Sequence, residues 1–186
     1  DVDALTPPAR EIKIIKSQLD NGSDLLQRIN DVGRKIGEIE AVGDEMIEKG
    51  YVSRPSEIHE PLDQIKRKRS RLESRTKDYV EAVQKALKNL TKFYENYDDA
   101  LNEISQVDFD LKKLKSVGSD ATQIRLQQQD FQQFRKTTVE PMNRKIDELS
   151  DLGKDLIRSA HETVSTAALE SDLEKIIEQW SEIKSR

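Results

Sequence analysis

The sequence predicts an all-α fold: tandem antiparallel three-helix coiled-coil bundles joined by a continuous long helix. Three observations lead there. The first is an internal repeat. Gly33-Arg34-Lys35-Ile36 returns 110 residues later as Asn143-Arg144-Lys145-Ile146, and Ile39, Val42, Gly43, Met46 and Ile47 keep step with Leu149, Leu152, Gly153, Leu156 and Ile157. After one inserted residue, Ile58, Leu62, Ile65 and Leu72 fall on Leu169, Leu173, Ile176 and Ile183. So long a period, filled by apolar residues three and four apart, means that the repeating unit is a whole helical bundle. The second is composition: 36% charged residues and 5% aromatics suit helices with narrow apolar seams rather than one large core. The third is a run from Leu62 to Val117 without proline or glycine, through which one helix can pass unbroken.

Each element follows from local chemistry. Thr6-Pro7-Pro8 blocks a helix from upstream but suits a first turn, so a helix is expected from about Pro8. Ile12, Ile15, Leu19, Leu26, Ile29, Val32, Ile36, Ile39 and Met46 give it one apolar stripe, running to Lys49 and capped by Gly50. Gly33 and Gly37 inside it either permit a close helix crossing or are a tolerated loss of propensity. The second reading is preferred because packing of the stripe outweighs a local glycine cost of about 0.5–1 kcal/mol.

Tyr51 to Pro55 reads as a loop, with the next helix starting between Ser56 and Pro61. That helix is expected to span about 55 residues, on the order of 80 Å. Its stripe passes through Leu62, Ile65, Arg69, Leu72, Thr76, Tyr79, Val83, Ala86, Leu90, Phe93 and Tyr97, then drifts through Leu101, Ile104, Asp108, Leu111 and Leu114. A helix so long exceeds the need of one compact domain and is expected to join two bundles. Val117-Gly118-Ser119-Asp120 reads as a turn with Asp120 as N-cap. The following helix should kink at Pro141 and end near Ala160. His161 to Thr166 form a loop, and the last helix carries Leu169, Leu173, Ile176, Trp180 and Ile183.

Aligning the copies matches the first helix to the third and the start of the second to the fourth. The unit therefore has three helices that alternate in direction and bury their seams by coiled-coil packing. This arrangement resembles the spectrin repeat over nearly the whole chain. Ile176-x3-Trp180-x2-Ile183 looks like that family's tryptophan motif in its third helix, C. Ala100-Leu101-Asn102-Glu103-Ile104 looks like the motif of its first helix, A, with alanine in place of tryptophan. In the first copy Arg69 replaces tryptophan, within Ile65-x3-Arg69-x2-Leu72. The missing anchors resemble the divergent repeats of giant family members such as nesprins, spectraplakins and dystrophin relatives. The resemblance implies a first repeat at 8–83 made of helices B and C, and a second at 84–186 made of A, B and a shortened C. It further implies an excerpt of a cytoskeletal rod that acts as mechanical spacer and docking scaffold.

Catalysis needs a constellation that is missing here. His59 and His161 both lie near loops, with no triad pattern and no glycine-rich phosphate loop, and a metal centre normally takes at least three matched ligands. No catalytic, metal or cofactor residues are expected, and the chain reads as no enzyme. The net charge of -5 argues against general nucleic-acid binding. The absence of cysteine excludes a disulfide framework and fits a reducing compartment, and the family resemblance implies a cytoplasmic, cytoskeleton-associated location. No apolar run approaches the roughly 20 residues of a membrane span, and Asp1-Val2-Asp3 is unlike a signal peptide.

The sharpest anomaly is a cationic run, Lys66, Arg67, Lys68, Arg69, Arg71, Arg75 and Lys77, with Glu73 the one negative charge among them. It is either a docking patch or a solvated face whose cations pair across the bundle. Lys68, Arg71 and Arg75 share one stripe, while Lys66, Arg69, Glu73 and Lys77 share another. Arg69 lies on the seam, so its guanidinium is expected to snorkel outward or to lie over the groove left by the absent first helix. Tyr94, off the main seam, is the aromatic expected to be exposed for a partner. Phe93, Tyr97, Phe131, Phe134 and Trp180 read as packing residues. The expected partners are cytoskeletal or adaptor proteins, with actin association through other parts of a parent protein. Self-association through the incomplete first repeat is a further expectation, and a rival reading is a membrane-surface module using residues 66–77.

Overall fold

The computed structural model describes residues 2–114 and 120–185. Those residues contain no strand. A 3-10 turn at Val2–Ala4 precedes α1 (Ile12–Glu48) and α2 (Ser56–Leu114). Then come α3 (Ala121–Phe134), a π-helical turn (Arg135–Val139), α4 (Glu140–Arg158) and α5 (Ala167–Lys184). The chain divides into two compact units. Unit 1 comprises Asp1–Pro8 and Lys13–Leu87, and unit 2 comprises Ala9–Ile12 and Lys88–Arg186. α2 is unbroken and contributes to both.

In unit 1, α1 buries Ile15, Gly22, Ile29, Ile36 and Gly43, one residue every seven. Val32, Ile39 and Met46, expected on the buried stripe, are exposed. The stripe has two edges, and α2 covers one of them. A Cβ at Gly43 would lie 2.7 Å from Ile58 Cγ2, and one at Gly22 would lie 3.0 Å from Val80 Cγ2. Small residues on the seam thus let α1 and α2 approach closely.

α1 starts at Ile12 rather than near Pro8. A proline holds the residue before it extended, so Pro8 keeps Pro7 out of the helix. Residues 5–11 instead form a strap whose Pro7 carbonyl and Thr6 Oγ1 both accept from Gln18 Nε2 at 2.9 Å. The other end follows expectation. Gly50 takes φ +74, and Tyr51 N–H donates to Met46 O at 2.9 Å while Gly50 N–H donates to Ile47 O at 3.0 Å. This is a Schellman cap, which glycine accommodates without Cβ strain.

Along α2 a strict heptad survives where the sequence suggested drift. Thr76, Val83 and Leu90 lead to Ile104 and Leu111, and Phe93 leads to Ala100 and Val107, all buried. Ala100 fills the seam and Leu101 lies half-buried at its edge, because the seven-residue step from Phe93 falls on 100. Buried Thr76 satisfies its hydroxyl by donating to Leu72 O at 2.8 Å.

Unit 2 packs residues 88–114 of α2 with α4 and α5. Phe93, Leu149, Leu169 and Ile176 are fully enclosed, and a Cβ at Gly153 would lie 2.9 Å from Phe93 Cε2 and 3.1 Å from Leu173 Cδ2. The residues Val117, Gly118 and Ser119 of the expected turn lie outside the described residues. Asp120 has the extended backbone of an N-cap, and its carbonyl accepts from Ile124 N–H at 3.0 Å, but its side chain makes no capping bond. The effect of Pro141 takes the form of a wide turn in which Glu140 N–H donates to Arg135 O, five residues back. A π-turn just before proline relieves the crowding of its ring against the preceding turn.

Candidate docking surface

The repeat alignment places Arg69 on Trp180 and Gly33 on Asn143, and the structure brings both pairs together. In unit 2, Trp180 Nε1 donates to Asn143 Oδ1 at 2.8 Å. In unit 1, Arg69 Nη1 lies 1.9 Å from where a Cβ on Gly33 would be, so the guanidinium occupies the hollow that glycine leaves. Arg69 therefore folds back against α1 instead of snorkelling into solvent, and it pairs with Glu73. Gly33 is thus a close-approach position, while Gly37 has nothing near its would-be Cβ and fits the tolerated-loss reading. The signal was present in the sequence: the two aligned positions differ together, Trp with Asn and Arg with Gly.

The cationic run divides into paired and unpaired members. Lys66 reaches across to Glu40 of α1. Lys77 joins Glu73 at 2.7 Å, and Arg75 Nη1 donates to Asp3 Oδ1 at 3.0 Å. The Lys77 hydrogen bond leads the causes that hold the Glu73 carboxyl below its usual range, with the charges of Lys77 and Arg69 adding to it and partial desolvation opposing. Arg67, Lys68 and Arg71 have no ion pair among the described residues.

Beside this run lies an open hollow of about 450 Å³, walled by Val2, Leu25, Ile29, Val32, Ile65 and Leu72 and rimmed by Arg28, Lys68 and Arg69. A smaller hollow of about 340 Å³ lies at the matched place in unit 2, lined among others by Arg135, Val139, Trp180 and Ile183, but the apolar walls of the two differ in exposure. Val32, Ile65 and Leu72 are 46%, 47% and 38% exposed, whereas their counterparts Met142, Ile176 and Ile183 are 3%, 0% and 9% exposed. In unit 2 these positions are covered by α2, where Ile104 and Val107 are buried and Val107 lines the smaller hollow with Trp180 and Ile183.

Tyr94 departs from its expected role. Its hydroxyl donates to Asp172 Oδ2 of α5 at 3.2 Å, and its ring meets Phe93 edge-on at 5.2 Å. Burial first, then the charge of Asp172 and its hydrogen bond, push its pKa up to about 12. A residue flanking the seam is drawn between helices, so Tyr94 serves packing in unit 2.

Arg10 gave no sequence signal. It is buried within unit 2, where Nε donates to Leu156 O at 2.8 Å and Nη2 to Ser159 Oγ at 3.3 Å. A cation placed on the last carbonyls of α4 also complements the helix dipole, while burial lowers its pKa. His59 Nε2 lies 3.5 Å from Asp44 Oδ1, and His161 Nδ1 meets Thr163 Oγ1 at 2.9 Å. The described residues contain no cluster suited to a metal ion and no helix long and apolar enough to cross a membrane.

Two helical units, each packed on a heptad seam, define a helical-repeat protein. The spectrin-repeat family model matches residues 88–186, more than half of the chain, and the chain belongs to that family. Over its full length it is 25% identical to microtubule-actin cross-linking factor 1 of Rattus norvegicus. It is 24% identical to the corresponding proteins of Homo sapiens and Mus musculus. The chain spans 3% of the length of the rat protein and 2% of the human and mouse ones. No solved structure gives a significant match.

Proposed function

We propose that this chain is a structural rod segment of a cytoskeletal linker protein, acting as mechanical spacer and protein-docking scaffold. The repeats would be bounded at 8–83 and 84–186, and the partners would be cytoskeletal or adaptor proteins in the cytoplasm. The observation that carries the spacer role is the unbroken α2, whose buried heptad serves both units. In a one-dimensional array each unit is stabilised by its neighbour, and a helix shared by two cores transmits that stabilisation. Family membership and the similarity to microtubule-actin cross-linking factors support the reading. Calorimetry tests it: a single thermal transition is expected for the whole chain, and two transitions at separate temperatures would refute the coupling.

The membrane-surface reading has one observation in its favour, the three cations without ion pairs. The other four members of the run are held by Glu40, Glu73 and Asp3, which leaves less charge for a lipid surface.

A further inference from the structure

We propose that Thr6 accepts a phosphoryl group from a proline-directed protein kinase, and that Gln18 sets the rate by tying the acceptor strap to α1.

Thr6 is the one serine or threonine of the chain that stands directly before a proline, since the other prolines follow Pro7, Arg54, Glu60 and Glu140. A kinase groove with no partner for the N–H after the phosphorylated residue selects proline there, because proline has no N–H to leave unpaired. The backbone supplies the second requirement. An acceptor enters such a groove as extended chain, and two consecutive prolines hold Thr6 and Pro7 extended in advance. Residues 5–9 lie outside any helix, between the 3-10 turn and α1, and Thr6 is exposed. Hydroxyls such as those of Ser23, Thr76 and Ser105 lie within helices and donate to carbonyls four residues back. Modifying any of them requires the helix to open first.

The strap is held at the acceptor itself. Gln18 Nε2 donates at 2.9 Å to Thr6 Oγ1 and at 2.9 Å to Pro7 O, so one amide grips both the reacting oxygen and the carbonyl beside it. Hydrogen bonds this close to solvent contribute modestly, and the strap lifts by local opening. Loss of the Gln18 bonds raises the open fraction. In the transfer, Thr6 Oγ1 attacks the γ-phosphorus of ATP and the bond from that phosphorus to the β–γ bridging oxygen breaks. ADP departs, and the hydroxyl proton passes to the catalytic base of the kinase. The product carries about -1.5 to -2 charges on the strap, at a hollow lined by Gln18, Asn21, Asp24 and Arg28.

The test treats the full chain with ATP and a proline-directed kinase of the cyclin-dependent class, and maps the phosphate by mass spectrometry. One phosphate is expected, on Thr6. Pro7→Ala keeps the hydroxyl and should slow the transfer by about tenfold or more. Gln18→Ala should speed it by about fivefold, the factor that one net hydrogen bond is worth. Gln18→Glu, whose carboxylate has no N–H to donate, should match Gln18→Ala. Thr6 left unmodified in the native chain and in Gln18→Ala alike would overturn the proposal. So would phosphate placed on helical serines in preference to Thr6, or a rate indifferent to Pro7→Ala. Equal rates in the native chain and both Gln18 variants would overturn the role given to Gln18.

Discussion

Trp180→Ala is expected to destabilise unit 2 by about 3–5 kcal/mol, the usual range for emptying a large aromatic site in a core. Trp180 is buried between α4 and α5, and its indole N–H donates to Asn143, so truncation leaves both a cavity and an amide without its partner. Because the whole chain is expected to melt in one transition, each kcal/mol lowers the midpoint by about 2–4 °C. The matched variant in unit 1 is Arg69→Ala. Its effect is expected to be about a third as large or less, because a partly exposed ion pair is screened by solvent and Glu73 retains Lys77. Thermal melts of both variants check the contrast. Equal losses would mean that Arg69 anchors unit 1 as tryptophan anchors unit 2.

Val83→Pro is the second large perturbation. Val83 is fully buried and lies near the end of the stretch of α2 that belongs to unit 1. Proline there removes a helical hydrogen bond and collides with the preceding turn, at a cost of about 3 kcal/mol or more. The expected result is a split melt, with the unit 1 transition lowered by about 12–24 °C and the unit 2 transition left closer to the native midpoint. Val83→Ala separates packing from helix continuity, since it trims the side chain but keeps the backbone bonded. It should lower the midpoint while preserving one transition. A Val83→Pro chain that melts once, at the native midpoint, would contradict the role given to α2.

Most helix limits were legible because their causes are local, the start of α1 at Ile12 rather than Pro8 being the exception. Gly50 caps α1, Pro55 precedes α2, and nothing between Leu62 and Leu114 interrupts the heptad. What the sequence hid depends on which neighbour covers a residue. Val32 and Met142 occupy matched positions in matched patterns, yet one is open and the other enclosed. Periodicity reports a stripe and not how much of it is covered. Leu101 falls on the expected drifting stripe, but the heptad step from Phe93 keeps the seam on Ala100. Tyr94 was assigned to solvent for lying off the stripe, although a flanking position reaches the next helix. Gly33 passed as a propensity loss until the guanidinium of Arg69 appeared above it. Arg10 lies in an irregular strap where no periodic signal exists, and its partner carbonyl is 146 positions away.

The central claim is that the two units are copies of one plan, in which Val32, Ile65 and Leu72 are exposed in unit 1 while their counterparts Met142, Ile176 and Ile183 are covered in unit 2. The chain has no cysteine, so Val32→Cys and Met142→Cys each introduce a single reporter at equivalent positions. Thiol-labelling rates under native conditions compare them directly. The thiol introduced at 32 should react at nearly the rate of a free thiol. The one at 142 should react on the order of a hundredfold more slowly, because it waits for local opening of a packed core. Labelling at comparable rates would contradict the claim.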